Sequence, residues 1–180
     1  MNSKVTKEII SWVLVIGIAV LLALAINKWV IYKISSPTPS MENTFLVGEK
    51  VVILRPAYLF HEPERGDIVV FANPEEEGED DYIKRIIGLP GETVEGHDGV
   101  VYVNGQPLEE DYLREEMEGS FGPYEIPEGT YWMMGDNRNE SGDSRYWADK
   151  FVPKGDIHGK ALFKYPGLTW FHDVDYSIDE

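Results

Sequence analysis

The chain has no cysteine, only four histidines among its 180 residues, and half as many basic side chains (16) as acidic ones (32). Without cysteine, neither a disulfide framework nor a thiolate metal site can form. The formal charge of −16 argues against a nucleic-acid partner, whose phosphates call for a basic patch. None of His61, His97, His158 and His172 has a recognisable catalytic setting, which leaves a Ser-His-Asp arrangement little support. Long amphipathic helices are missing too. Only Glu109–Glu118 has a helix-former composition, and it is short. No internal repeat is evident.

The charge that is present is unevenly placed. Residues 1–34 hold Lys4, Lys7, Lys28 and Lys33 against Glu8 alone, so the remainder carries the whole acidic excess, as suits a solvent-facing domain. The run from Glu75 to Asp81 reads as a solvated loop tip, with a weak cation site as the alternative.

One long hydrophobic run stands out. Between Glu8 and Lys28 lie nineteen uncharged residues, IISWVLVIGIAVLLALAIN. At 1.5 Å per residue a helix of that length covers about 28 Å, close to the thickness of a bilayer's hydrocarbon core. A transmembrane helix over 9–31 is predicted, with Trp29 and Tyr32 as interfacial anchors and Lys28 snorkelling. The competing reading is a cleaved signal peptide with Lys4 and Lys7 as its basic end and Ala23-Leu24-Ala25 as the cut. The apolar run continues past that cut through Trp29-Val30-Ile31-Tyr32, which favours the anchor. Lysines flank both ends, so charge alone does not orient it.

After a proline-broken segment at 35–40, short β-prone runs follow at Lys50–Leu54, Asp67–Phe71, Tyr82–Ile87, Val100–Val103, Thr130–Met134 and Lys160–Tyr165. Asn104-Gly105 after VVYV signals a type I′ hairpin. A mainly β fold is predicted, with antiparallel pairing, sandwich- or barrel-like.

Within it, the strand DYIKRIIGLPG sets Lys84 among Tyr82, Ile83, Ile86 and Ile87. Its stem could lie on apolar surface with the ammonium in water. Alternatively the ammonium is buried, its charge disfavoured and its pKa lowered. A serine nucleophile without histidine needs another base, and a neutral lysine amine can serve. The loop Gly135–Arg145 imitates the opening of an EF-hand at Asn137, Asn139 and Ser141, but Ala148 stands where the bidentate glutamate would be. Gly142-Asp143-Ser144 resembles a trypsin-like nucleophile motif, except that Arg145 replaces the expected glycine. Asp136, Arg138, Asp143 and Arg145 read more simply as a loop folded by ion pairs. Ser40, taken alone, reads as a turn or N-cap serine more readily than as a nucleophile.

Pro39-Ser40-Met41, RGDIVVF at 65–71, DYIKRIIGLPGE at 81–92 and GDNRNESGDSR at 135–145, in that order, resemble the bacterial type I signal peptidases in their compact Gram-positive form. The resemblance implies a membrane-bound serine–lysine endopeptidase that removes signal peptides after small residues of the Ala-x-Ala type. It implies an antiparallel β-sheet catalytic domain at 35–180 on the extracytoplasmic face, a cytoplasmic stretch at 1–8, and a single-pass cell-membrane anchor. Ser40 would be the nucleophile and Lys84 the general base. Thr38 and the Ser40 N–H would form the oxyanion hole, and Ser141 would orient the amine. Arg85 with Asp136 and Asp143 with Arg145 would form an ion-paired scaffold. Phe45, Val70, Tyr82 and Ile83 would line the substrate pocket. Partners would be the signal peptides of exported preproteins and the lipid bilayer; no metal or other cofactor is implied. One departure concerns the nucleophile turn, where many members read Ser-Met-x-Pro-Thr-Leu and this chain has Ser-Met-Glu-Asn-Thr-Phe at 40–45.

Three other readings compete. A self-cleaving serine–lysine repressor would need a DNA-binding region where this chain has an apolar run. A membrane-tethered binding domain would leave Lys84 exposed and far from Ser40. An inactive homologue would not need Ser40, Lys84 and Ser141 intact. If residues 9–31 are an anchor, mass spectrometry of the membrane-derived protein will find an N-terminus upstream of Ala25; a mature chain beginning just after Ala25 would make the segment a signal peptide.

Overall fold

The computed structural model describes residues 3–75 and 80–171, with Val174 and Tyr176. Glu76–Glu79 of the acidic run and His172 lie outside the described residues. Helix α1 (Ser3–Trp29) is apolar on all sides. Its stretch Lys7–Trp29 is not buried against the protein and is long and apolar enough to cross a bilayer. It stops two residues short of the predicted end. Ile31–Ser35 forms strand β1, in antiparallel register with β2 (Lys50–Leu54), Ile31 opposite Leu54 and Tyr32 opposite Ile53. The β-branched and aromatic side chains that seemed to prolong the span are those a half-buried strand prefers.

The strands that follow are β3 (Ile68–Phe71), β4 (Tyr82–Gly88), β5 (Thr93–His97), β6 (Val100–Val103) and β7 (Gln106–Pro107). Then come β8 (Phe121–Glu125), β9 (Thr130–Met134), β10 (Phe151–Pro153), β11 (Ile157–Tyr165) and β12 (Thr169–Trp170). One sheet runs β1-β2-β11-β3-β4-β9-β10, with β12 also on β11. A smaller sheet runs β7-β6-β5-β8. The pairings among the described strands are antiparallel, so the fold is the mainly β architecture behind one apolar helix that was predicted. Asn104 (φ 52°) and Gly105 (φ 77°) both take the left-handed conformation that a type I′ hairpin requires between β6 and β7.

Strand β3 is central, and all four of its side chains are buried, which is why it reads as an unbroken apolar run. Trp132 on β9 joins the two sheets, stacked by Phe121 and Tyr124 at 5.3 Å each in a core with Val94, Val101 and Met134. Glu109–Glu118 is not a helix. Its side chains are drawn outward to fixed partners: Glu110 to Arg138, Arg114 to Glu42, and Met117 into the core. These tertiary contacts override a weak helical propensity.

Candidate active site

Prolines 37 and 39 break the chain so that residues 39–41 form one short 3-10 turn, with Thr38 extended before it. This turn carries Ser40, 2% exposed, over the buried Met41. It is fastened from the far loop: Asn137 N–H donates to the Ser40 carbonyl at 3.0 Å, and Asn137 Nδ2 to the Pro39 carbonyl at 3.1 Å. Gly135 permits this approach. A Cβ there would meet the Ser40 carbonyl oxygen and Ser141 Oγ at 2.4 Å each, so no larger residue fits. The Thr38 and Ser40 hydroxyls lie 3.1 Å apart.

Lys84, on β4, is 5% exposed, and its Nζ lies 2.8 Å from Ser40 Oγ and 3.3 Å from the Ile83 carbonyl. The exposed-lysine reading is thereby excluded. Burial pushes the amine's pKa down from 10.5 to about 8, against the pull of Asp143 and Asp136. The consequence is quantitative. About one amine in ten is neutral at pH 7, against roughly one in three thousand for an ordinary lysine.

Both carboxylates near Lys84 are held by arginines. Arg85 Nε and Nη2 donate to Asp136 at 2.8 and 2.6 Å, and Arg145 Nε and Nη2 to Asp143 at 2.7 and 2.8 Å. The four scaffold residues predicted from the sequence therefore meet as two buried bidentate pairs. Thr44 donates its hydroxyl to Asp136, tying this scaffold to the segment that follows the Ser40 turn. Ser141 is placed differently from the expectation. Its hydroxyl donates to Asp143 Oδ2 at 2.7 Å, whereas the Lys84 amine bonds to Ser40 and Ile83. A charged carboxylate is the stronger acceptor, so it takes this hydroxyl.

The cleft beside the pair has a volume of about 330 Å³ and is lined by Thr38, Tyr82, Ile83 and Lys84, with Glu140 at its edge. Phe45 (1% exposed) and Val70 (0%) do not line it; they pack in the core behind Ile83, with Met41 and Ile53. The larger Phe45 is buried there against Phe171, ring centroids 5.9 Å apart. A second cavity of about 1000 Å³ meets the cleft at Asp81 and does not reach Ser40 or Lys84. Ser144, the trypsin-like candidate, is 0% exposed and accepts the Met133 N–H.

Several residues of the site were missed. Glu110 binds the buried Arg138 at 2.8 and 2.5 Å, and the Tyr112 ring lies 3.9 Å from the guanidinium carbon of Arg85. Asn43 adopts φ 93° and donates Nδ2 to the carbonyls of Tyr112 (2.8 Å) and Leu113 (3.3 Å). The departure from the family's proline was the only signal for this turn, because proline's φ is fixed near −65°.

A buried serine hydroxyl thus lies within hydrogen-bond reach of a desolvated lysine amine, on an antiparallel β domain behind an apolar helix, an arrangement that can supply a nucleophile and its base. The family model described as signal peptidase, peptidase S26, matches residues 9–166. "Probable signal peptidase I-1" of Synechocystis sp. is 41% identical over 160 residues, covering 85% of this chain and 81% of that protein. "Signal peptidase I" of Leptolyngbya laminosa is 37% identical over 168 residues, 90% of this chain and 82% of that protein. "Signal peptidase I S" of Bacillus subtilis (strain 168) is 37% identical over 176 residues, 91% and 92% of the two chains. The crystal structure of a signal peptidase I from Enterococcus faecalis V583 is 38% identical and covers 55% of this chain and 96% of its own, with a TM-score of 0.49. The chain belongs to the signal peptidase family, peptidase S26.

Restoring the family's proline should harm this turn. Asn43→Pro removes both Nδ2 hydrogen bonds and forbids φ 93°, at a cost of about 3 kcal/mol, whereas Asn43→Gly keeps the backbone and costs about 1. Thermal unfolding of the detergent-solubilised protein checks the order; equal melting temperatures for Asn43→Pro and the wild type would contradict it.

Proposed function

We propose that the protein is a membrane-bound serine endopeptidase that cuts signal peptides from exported preproteins through Ser40 and Lys84. The single observation that carries the reading is the 2.8 Å contact between Lys84 Nζ and Ser40 Oγ, both buried. With the amine neutral, the hydroxyl donates to the nitrogen lone pair. Lys84 takes this proton as Oγ attacks the carbonyl carbon of the scissile bond. The resulting oxyanion is held by the Ser40 N–H and the Thr38 hydroxyl, donors of a kind worth about 3 kcal/mol each to the barrier. The protonated amine then gives its proton to the leaving amine, the C–N bond breaks, and an acyl-enzyme remains on Ser40. Water, deprotonated by the same amine, attacks the ester, the C–Oγ bond breaks as the amine returns that proton to Ser40 Oγ, and the signal peptide leaves with a carboxyl end that ionises.

The strand pairing supports an extended substrate. β3 pairs with β4 over Tyr82–Arg85, but the ladder with β9 begins only at Arg85. A peptide strand laid along the β9 side of Ile83–Lys84 would present its scissile carbonyl to Ser40. The cleft of about 330 Å³ beside the pair would receive the residues before the scissile bond, small ones of the Ala-x-Ala type in this reading. Ser141 acts through Asp143, not by touching the amine. The apolar helix anchors the chain in the cell membrane, with 1–8 in the cytoplasm and 35–180 on the extracytoplasmic face, where signal peptides emerge. Anchoring confines enzyme and substrate to the same bilayer.

The test is cleavage of a preprotein by the full chain in lipid vesicles. Ser40→Ala and Lys84→Ala should each lose at least about 10³-fold in kcat while keeping the wild-type melting temperature within a few degrees. Lys84→Arg should be equally inactive, since a guanidinium does not give up its proton near neutral pH. Wild-type cleavage by Lys84→Ala would refute the mechanism.

A further inference from the structure

Tyr176 lies beyond the span 9–166 matched by the family model, yet only 7% of it is exposed. Its ring packs on Gly66, so closely that a Cβ on that glycine would fall 2.8 Å from Tyr176 Cε2. Its hydroxyl donates to the Tyr112 hydroxyl at 3.0 Å, and the two rings meet edge to face with centroids 6.3 Å apart. Gly66 and Tyr112 are two neighbours that hold Arg85: the Gly66 carbonyl accepts from Arg85 Nη1 at 2.8 Å, and the Tyr112 ring covers the guanidinium at 3.9 Å. The start of the tail is pinned as well, since Phe171 N–H donates to the Leu162 carbonyl at 2.9 Å and its ring packs on Phe45.

We propose that Tyr176 is a positioning residue of the peptidase site: its ring, wedged between Gly66 and Tyr112, keeps the Arg85–Asp136 pair closed to water and thereby sets the field at Lys84. The inference rests on the serine–lysine reading above. The contacts from Tyr176 to the reacting atoms are continuous. Arg85 binds Asp136, Asp136 accepts the Thr44 hydroxyl, and Asn137, the next residue, holds the Ser40 carbonyl.

The charges around the amine give this contact a distinct signature. Lys84 faces Asp143, paired with Arg145, and Asp136, paired with Arg85. Tyr176 faces Arg85, Tyr112, Glu110 and Asp136, and Glu110 is itself bound to Arg138. Removing the Tyr176 ring admits water to Arg85 and weakens its hold on Asp136. The less compensated carboxylate then favours the ammonium form of Lys84, so the base titrates at higher pH. Loss of packing alone would lower stability and leave that titration where it was.

The experiment measures kcat/KM for a synthetic signal-peptide substrate with the full chain in detergent, from about pH 6 to about pH 10. Tyr176→Ala should move the acid limb to higher pH and lower kcat/KM at pH 7 about three- to tenfold, with the loss in kcat and not in KM. Tyr176→Phe, which keeps the ring, should restore the wild-type profile. Tyr176→Leu, which half fills the space, should lie between them and serves as the readout should the alanine variant fold poorly. An unmoved acid limb in the alanine and leucine variants, or a phenylalanine variant indistinguishable from alanine, overturns the proposal. Lys84→Ala run alongside separates the two readings. Retained cleavage there refutes the serine–lysine pair itself, whereas an inactive Lys84→Ala beside an unmoved limb in the Tyr176 variants refutes only the role of the tail.

Discussion

Two carboxylates lie near the Lys84 amine, and each is already claimed by an arginine: Asp136 by Arg85, Asp143 by Arg145. A buried lysine beside a free carboxylate would form an ion pair and keep its proton, which would make it useless as a base. Bidentate guanidinium–carboxylate pairs are the stronger partners, and Arg is hard to deprotonate. So the arginines neutralise the acids while the lysine, beside the Tyr82 ring and the Ile83 carbonyl, meets mainly desolvation. Its lowered pKa follows from that division, and so does its contact with an uncharged hydroxyl in place of a carboxylate.

The fold arranges this with one strand. Adjacent residues of β4 point to opposite faces, so Lys84 reaches the Ser40 turn while Arg85 reaches Asp136. The loop 135–145 then closes over both. Its Asn137 fastens the Ser40 turn, Gly135 allows the approach, and Asp143 anchors Ser141 and Arg145. Behind this layer the irregular stretch 108–118 seals the arginines, through Glu110 on Arg138 and Tyr112 on Arg85. Burying this much charge costs several kcal/mol per ion unless each group is matched by a partner, and the matches come from segments far apart in the chain.

That distance explains what could be read from the sequence. The strands β2, β3, β4, β6, β9 and the second part of β11 were legible because β-branched and aromatic runs bounded by turn residues leave little choice. The serine, the lysine and the two scaffold pairs were legible as motifs. The first residues of β1, Ile31 and Tyr32, were read as the end of the membrane span, since so short an apolar stretch cannot be told from a helix continuation by composition. β5 and β8 were missed; glycines interrupt their runs, and Gly96 has its space filled by Phe121 and Met117. Glu110 and Tyr112 sit in a stretch whose charge suggests a solvated surface, and only the buried Arg138 and Arg85 opposite them give it meaning. Ser141 was expected at the amine, but its hydroxyl donates to the nearby Asp143 carboxylate.

The most direct test is the titration of the Lys84 side chain itself, followed by NMR of labelled lysine in the detergent-solubilised protein with Lys84→Met to assign the signal. The account predicts a midpoint near 8 in the wild type. A Lys84 that keeps its proton up to the ordinary 10.5 would contradict it, because Ser40 Oγ would then face an ammonium at neutral pH.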